Sequence, residues 1–323
     1  ALNTLSLHDA LPIYPVLAFT DIERDLNTLI YSGLTKYENG KIVPDIAESY
    51  KVSDDGLVYT FKLRKDVRFH DGVPLTSKDV EFTIKKIQDS NIKNPRKADW
   101  ANISTKIINE YEIQFILKQV YTPFISNTVI GILPEHIWSK VDSSQFVFSQ
   151  KNLEPIGSGP YKISKINKDS NGIPSSYEFE SWQKYYNGRP YISKLFIYFY
   201  PNEKKVIDAY KKREIESMAG ISPKNSSSIE VSVPEANILH FPLPRIFGVF
   251  LNQNQAQILS YPEVRQAMDM AVDRKYIIKR VLYGYGIDID GPIPKDNSIL
   301  ENSSKATENK FDPKKAKIGR AHV

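Results

Sequence analysis

The stretch "GLVYTFKLRKDVRFHDGVPLTSKDVEFT", Gly56 to Thr83, carries the signals of a strand, a turn and a helix in immediate succession. Apolar and polar residues alternate from Leu57 to Leu63, which predicts a half-buried strand. The Asp-Gly pair in "HDGVPL" predicts a turn, because these residues tolerate the positive φ that tight turns need. Thr76 and Asp79 have the spacing of a capping box, and apolar residues recur on one helical face from Val80 onward. The stretch therefore predicts a strand-turn-helix unit.

Strands and helices alternate on both sides of this unit without a fixed repeat length, which indicates an α/β or α+β class. The composition of the chain changes after residue 221. The polar stretch "SPKNSSSIEVSVPEA" (222–236) predicts a loop, and "GVFLNQNQ" (248–255) predicts a strand that ends in amides. The other main predicted elements are a helix at 22–30, strands at 113–117 and 195–200, the latter apolar on both faces, a short helix after Pro134, a helix from Glu203, and helices at 264–271 and 277–281 separated by an N-cap at Asp273.

Length and composition exclude several kinds of functional site. The chain has 323 residues, enough for more than one lobe, because single cores stop growing at roughly 250 residues. It has no cysteine, which excludes thiolate nucleophiles, cysteine zinc sites and disulfides. The net charge of +5 comes from short basic pieces interleaved with acids, which is typical of a solvated surface and not of a nucleic-acid partner. No apolar run approaches the roughly 20 residues that span a bilayer.

The candidate catalytic groups have simpler structural interpretations. Ser158 in "GSGPY" leads into a strand, whereas a serine nucleophile elbow turns from a strand into a helix. The His70-Asp71 pair suggests a dyad, yet an Asp-Gly turn explains the same letters. His70, His136 and His240 have none of the spacings of a metal site. The sequence therefore predicts no metal, no cofactor and no enzymatic activity; a hydrolase using Ser158 or the His70-Asp71 pair is the alternative.

Both ends of the chain are interpreted as laboratory sequence. Back-translation of "TLSLHDALPI" near the start and of "IGRAHV" at the end gives the two arms of a common short-read sequencing adapter. The nucleotides that encode "ALPI" near the start are the reverse complement of the nucleotides that run into "IGRA" near the end. We therefore expect residues 1–13 and 317–323 to be adapter-derived and the natural sequence to be open at both ends. A missing signal peptide would then say nothing about export.

Four stretches in this order resemble one family. The family is that of the extracellular solute-binding proteins for oligopeptides, dipeptides and nickel (family 5), which are the receptors of ABC importers. The third stretch matches the family's aromatic pair, Gly, x-Pro and central strand, and the fourth its Asn-bearing strand before a V-R-Q-A helix. In chain order the stretches are Gly56–Thr83, "GSGPYKI" (157–163), "WQKYYNGRPYISKLFIYFYPN" (182–202) and "VFLNQNQAQILSYPEVRQAMDMAVDRKYIIKRVLYGYG" (249–286).

The resemblance implies a periplasmic-binding-protein-like (type II) α/β fold of two lobes that close on a cleft, with an extra subdomain and a truncated C-terminal part. Truncation would leave apolar faces uncovered, so we expect the polypeptide as written to fold poorly or aggregate. The implied domains are the first lobe at 14–40 and 155–245, the extra subdomain at 41–154 and the start of the second lobe at 246–316.

The resemblance also implies binding without chemistry, with the ligand buried between the lobes. The residues that map to ligand contacts are Phe19, Thr20 and Asp21 before the first helix, and Arg245 and Phe247 at the crossing between lobes. The implied ligand is a peptide, with nickel, heme or a sugar as alternatives. The implied setting is a periplasmic or extracellular monomer, tethered if it is a lipoprotein, that delivers to an ABC permease.

Overall fold

The structure is a computed structural model and describes residues 4–5, 13–18, 20–92, 94, 96–146, 148–239, 246–289 and 310–317. The chain divides into two compact units, Ala1–Gly220 and Ile221–Val323. The elements of the first unit are β1 (Thr4–Leu5), α1 (Asp21–Ile30), β2 (Thr35–Glu38), β3 (Lys41–Pro44), β4 (Ala47–Val52), β5 (Val58–Leu63), α2 (Ser77–Gln88), α3 (Lys97–Trp100), β6 (Ile103–Asn109), β7 (Glu112–Leu117), α4 (Phe124–Asn127), α5 (Glu135–Trp138), β8 (Tyr161–Lys168), β9 (Pro174–Ser181), β10 (Lys194–Tyr200) and α6 (Glu203–Lys211), with 3-10 turns at Ser143–Gln145 and Gln150–Asn152.

The predicted strand-turn-helix unit is confirmed. Strand β5 lies inside an antiparallel sheet of order β4-β5-β7-β6 and buries alternate side chains on one face. The turn that follows has Gly72 at φ +92 and is closed by a bond from Phe69 N–H to Val73 O of 2.9 Å. Helix α2 then packs its apolar face on the buried side of the sheet, and the aromatic rings of Phe61 and Phe115 meet edge to face there at 5.4 Å.

The capping box of α2 also anchors a second segment. Thr76 N–H donates to the carboxylate of Asp79 at 2.9 Å, as predicted for a capping box. The other oxygen of Asp79 accepts the N–H of Glu135, at the start of α5, at 2.9 Å. Burial raises the pKa of Asp79, whereas these hydrogen bonds favour its charged form. One side chain therefore stabilises the starts of two helices.

The second sheet of the first unit has the order β1-β10-β9-β8. Strand β1 is parallel to the end of β10, and the remaining neighbours are antiparallel. Ile197 on β10 is buried, but Phe196 and Tyr198 are 38% and 37% exposed. The expectation that β10 is covered on both faces is therefore wrong for this chain, because the face of Phe196 carries the ion pairs Lys162–Glu180 and Lys165–Glu178 of the neighbouring strands.

The segment assigned to adapter sequence has described residues at both of its ends. Thr4 and Leu5 form β1, and Ile13 is fully buried and donates its N–H to Asn152 O at 2.9 Å. The adapter origin of residues 1–13 and 317–323 stays a prediction. The same holds for the predicted lobe boundaries, which assign residues 221–245 to the first lobe.

The second unit consists of helices in its described part: α7 (Pro223–Ser232), α8 (Pro262–Met270), α9 (Arg274–Val281) and α10 (Pro313–Ala316), with a 3-10 turn at Gln257–Ser260. Asp273 caps α9 as predicted and accepts the N–H of Tyr276 at 2.8 Å. The predicted loop at 222–236 is wrong, because a Ser-Pro pair starts α7 with proline in its first turn. The predicted strand at 248–255 is also wrong: these residues form no strand, and the described part of this unit contains no strand that could pair with it.

Helices α8 and α9 bury none of their side chains, in contrast to α2, which buries Val80, Ile84 and Ile87. Local stability follows the burial of apolar contacts. We therefore expect the backbone amides of α8 to exchange with deuterium at least tenfold faster than those of α2, measured by mass spectrometry on the full chain. Equal protection of the two helices would contradict the prediction that local stability follows this difference in burial.

Candidate functional site

The N-terminus of α1 holds two of the predicted ligand contacts. Thr20 is the N-cap: its hydroxyl accepts the N–H of Glu23 at 3.2 Å, and the Glu23 carboxylate accepts the N–H of Thr20 at 2.7 Å. This capping box fixes the backbone entry into the helix. Asp21 is the first residue of α1, so the two predicted residues are consecutive at a helix N-terminus, where the helix dipole favours negative charge. Phe19 lies outside the described residues.

The third described contact candidate belongs to the second unit. Phe247 is 86% exposed and lies in a segment without regular secondary structure. Phe250 of the same segment is equally open to solvent. Arg245 lies outside the described residues. The structure thus brings Thr20 and Asp21 together on one unit and presents Phe247 on the other.

The His70-Asp71 pair does not form a dyad. Both ring nitrogens of His70 are engaged by the turn that precedes β8: Nε2 lies 3.1 Å from Gly159 O, and Nδ1 lies 3.3 Å from Gly157 N. Asp71 instead accepts from Nε2 of His136 at 2.7 Å and from Val73 N–H at 3.1 Å. The two side chains therefore bond to different segments, and the structure agrees with the interpretation of the His70-Asp71 pair as part of a structural turn.

Ser158 is equally unsuited to attack a substrate. Its side chain is fully buried, and its hydroxyl has no hydrogen-bond partner among the described residues. Neither His70 nor His136, the histidines that the structure describes, hydrogen-bonds this hydroxyl, so the described residues supply no histidine base to activate it. The alternative of a hydrolase built on Ser158 loses its geometric basis.

A buried carboxylate that sequence reasoning missed lies at the end of β3. Asp45 is buried, and the hydroxyl of Tyr186 donates to it at 2.7 Å. Burial raises the pKa of Asp45; the Tyr186 hydrogen bond and the charges of Lys36 and Arg64 oppose that shift. The guanidinium of Arg64 also lies over the Tyr186 ring at 5.4 Å. The partners are 141 positions apart, so no local pattern could have indicated them.

Other kinds of site find no support among the described residues. No group of three or more His, Asp or Glu side chains there could hold a metal ion. No helix in the described part of the chain is long and apolar enough to cross a membrane. A surface cavity of about 350 Å³ lies beside α3 and β6 and is lined by Lys97, Ser104 and Lys118, among others. None of the predicted ligand contacts lines it.

Comparison with known proteins gives concordant results. The sequence is 29% identical to the oligopeptide-binding protein AppA of Bacillus subtilis over 273 residues, which cover 82% of this chain and 48% of AppA. It is 27% identical to the nickel-binding periplasmic protein of Escherichia coli over 328 aligned positions, covering 95% of this chain and 57% of that protein. The chain spans about half the length of the first curated relatives it matches.

A solved structure agrees with the sequence relatives. The ABC transporter substrate-binding protein CtaP from Listeria monocytogenes superposes with a TM-score of 0.83 at 26% identity, covering 99% of this chain and 64% of that one. The predicted α/β, periplasmic-binding-protein-like fold class is thereby confirmed.

The family assignment rests on the extent of the match. The sequence profile of the bacterial extracellular solute-binding proteins, family 5 (middle region), matches residues 41–318. Proteins of this family are transport binding proteins and not enzymes, which confirms the expectation drawn from Ser158 and His70. Since the match covers most of the sequence, the chain belongs to the family 5 bacterial extracellular solute-binding proteins.

Proposed function

We propose that this chain is the substrate-binding component of an ABC importer that captures a peptide between two lobes and delivers it to a membrane permease. The observation that carries the proposal is the family match over residues 41–318. The absence of a usable nucleophile at Ser158 and of a His70-Asp71 dyad is consistent with binding that involves no turnover. Closure of such a protein is favoured because a ligand that touches both lobes binds the closed state more tightly.

The proposed ligand contacts are Phe19, Thr20 and Asp21 on the first lobe and Arg245 and Phe247 at the crossing to the second. An exposed aromatic ring such as Phe247 offers a large, stiff contact surface at a low cost in conformational entropy. Thr20 is the N-cap of α1 and Asp21 its first residue, so both positions lie at a helix N-terminus. We assign residues 14–40 and 155–245 to the first lobe, 41–154 to the extra subdomain and 246–316 to the second lobe.

The cellular setting belongs to the same proposal. Family 5 proteins are periplasmic or extracellular, and we place this protein there as a monomer that docks on an ABC permease. A lipid anchor would tether it to the membrane. A peptide ligand is supported by the oligopeptide-binding relative, whereas the nickel-binding relative supports a metal complex as the competing ligand.

Ligand-dependent thermal stabilisation of the full chain tests the proposal. Synthetic peptides of two to nine residues, nickel with free histidine, heme, and disaccharides are added separately, and the melting temperature is followed. A peptide at about 100 times its Kd should stabilise the folded state by about 2.7 kcal/mol. Stabilisation by the nickel complex, by heme or by a sugar alone would overturn the peptide assignment, and the absence of any stabilisation would overturn ligand capture by this chain.

A pair of variants tests the contact residue. Phe247→Ala should weaken the binding of the stabilising peptide roughly tenfold or more, because truncating an aromatic ring that is a hot spot of binding costs about 2 kcal/mol or more. Phe250→Ala is the matched control, an exposed phenylalanine of the same segment that should leave the Kd unchanged. Equal effects of the two substitutions would remove Phe247 from the site.

A further inference from the structure

The imidazole of His70 has one tautomer that satisfies its neighbours. The backbone N–H of Gly157 can only donate, so Nδ1, which lies 3.3 Å away, must be the bare acceptor. The ring proton is then on Nε2, which donates to Gly159 O at 3.1 Å. A third bond runs from the backbone N–H of His70 to Gly157 O at 2.8 Å. The neutral ring is therefore held by the turn through a donor and an acceptor at once.

The turn that His70 holds is itself attached to the end of α1. Gly159 N–H donates to Ile30 O at 2.7 Å, and the hydroxyl of Ser32 donates to Ser158 O at 3.4 Å. Three segments distant in sequence thus meet at one junction: the Asp-Gly turn after β5, the turn before β8 and the C-terminus of α1. His70 is the side chain that ties the first of these segments to the second.

Burial and nearby charge both act on the protonation of this ring. Burial lowers the pKa of His70 to about 4. Lys162 on β8 opposes a second ring proton, whereas the hydrogen bond to Gly159 and the charge of Asp71 favour it. Lys162 is paired with Glu180 at 2.7 Å, which partly compensates its charge, and Asp71 accepts a hydrogen bond from Nε2 of His136 at 2.7 Å. The ring edge also contacts the ring of Trp182, with centroids 5.6 Å apart.

We propose that His70 is an acid-sensitive latch, which holds the Asp-Gly turn against the Gly157–Gly159 turn while its ring is neutral and loosens this contact at the N–H of Gly157 when the ring becomes protonated. The imidazolium carries a proton on both nitrogens. Its Nδ1–H would then face the N–H of Gly157, so that a hydrogen bond becomes a contact between two donors. The bonds from Nε2 to Gly159 O and from the backbone N–H of His70 to Gly157 O survive protonation, so the bond that is lost is the one donated by the N–H of Gly157.

The latch has a defined pH range. The pKa of His70 lies below its ordinary value, so the neutral, closed form is complete at pH 6.5 and above. Closure is lost as the pH falls towards about 4. Capture of a solute at neutral pH would take place with this junction closed, and acidification would loosen the connection between the sheet of β8 and the sheet of β5.

Nuclear magnetic resonance of the full chain tests the latch directly. Two-bond proton–nitrogen correlations should show a bare Nδ1 and a protonated Nε2 for His70 at pH 7, and a midpoint of ring protonation near pH 4. The protection factor of the Gly157 amide against hydrogen exchange, which is corrected for the intrinsic rate, should fall at least tenfold over the same pH range. Titration of His70 near pH 6.5, or titration near pH 4 with an unchanged Gly157 amide, would overturn the proposal.

Two histidine variants separate the latch from general acid unfolding. His70→Gln keeps one donor and one acceptor but cannot titrate, so the acid-induced loss of Gly157 protection should disappear. His136→Gln removes the other described histidine of this region and should retain the loss. A variant of His70 that fails to fold would leave the titration of the unmodified chain as the deciding measurement. Persistence of the acid-induced loss in a folded His70→Gln protein contradicts the latch.

Discussion

Replacing Gly157 by alanine is expected to destabilise the first unit by about 3 kcal/mol, the upper limit of the usual range for overpacked sites. An added Cβ would overlap the carbonyl oxygen of Ile30, and it would lie 2.7 Å from the carbonyl carbon of Ile30 and 2.9 Å from Cδ1 of Tyr31. The Ile30 carbonyl is a backbone group that already accepts the N–H of Gly159. No side-chain rotation can relieve such an overlap, so the turn must move away from α1.

The neighbouring residue provides the control for this substitution. Ser158→Ala removes a buried hydroxyl without a partner among the described residues, so it should change the stability by less than about 1 kcal/mol. Urea unfolding followed by tryptophan fluorescence measures both variants, because Trp100, Trp138 and Trp182, the three tryptophans of the chain, all belong to the first unit. Similar midpoints for the two variants would show that the close approach of the turn to Ile30 is not needed.

Phe115→Ala should cost about 3–5 kcal/mol, the range for truncation of a fully buried phenylalanine. Phe115 lies on β7, has no exposed surface and faces the rings of Phe61, Trp100 and Phe124 at centroid distances of 5.4, 6.0 and 5.5 Å. The cavity left by its ring would be lined by rigid aromatic side chains that cannot close over it.

The same substitution at an exposed phenylalanine of the same unit is the comparison. Phe148 is 81% exposed, and Phe148→Ala should stay within about 0.5 kcal/mol of the unmodified protein. The emission of Trp100 reports directly on the cluster, since its ring contacts that of Phe115. A cost for Phe115→Ala below about 1 kcal/mol would mean that the sheet of β4 to β7 is not held by this aromatic cluster.

Local signals in the sequence predicted local structure well. The capping residues Thr76 and Asp273, the Asp-Gly turn at Gly72 and the helix after Pro134 all lie where the sequence placed them. Each of these features depends on residues within four positions, and the physical cause is a hydrogen bond or a φ value that the residue type determines. The Ser-Pro pair that starts α7 is a local signal of the same kind.

The features that were not predicted depend on partners far along the chain. Asp45 finds Tyr186 across 141 positions, and His70 finds Gly159 across 89. A strand at 248–255 needs a neighbouring strand, and its own alternation cannot supply one. The proposed ligand contacts share this property, because Thr20 and Phe247 belong to different units, and they were proposed from a family resemblance and not from their local pattern.

The junction at Ile30 and Gly157 also bears on the order in which the first unit folds. Ser32 and Ser158 are 126 positions apart, and joining the ends of so long an open chain carries a loop-closure entropy that grows with the logarithm of its length. Strands β4, β5, β6 and β7, however, pair among themselves within residues 47–117. Once this local sheet has formed, most of the intervening chain no longer contributes free conformations. The contact of Gly157 and Gly159 with Ile30 then closes a much shorter effective loop. We therefore expect this contact to form after the sheet of β4 to β7.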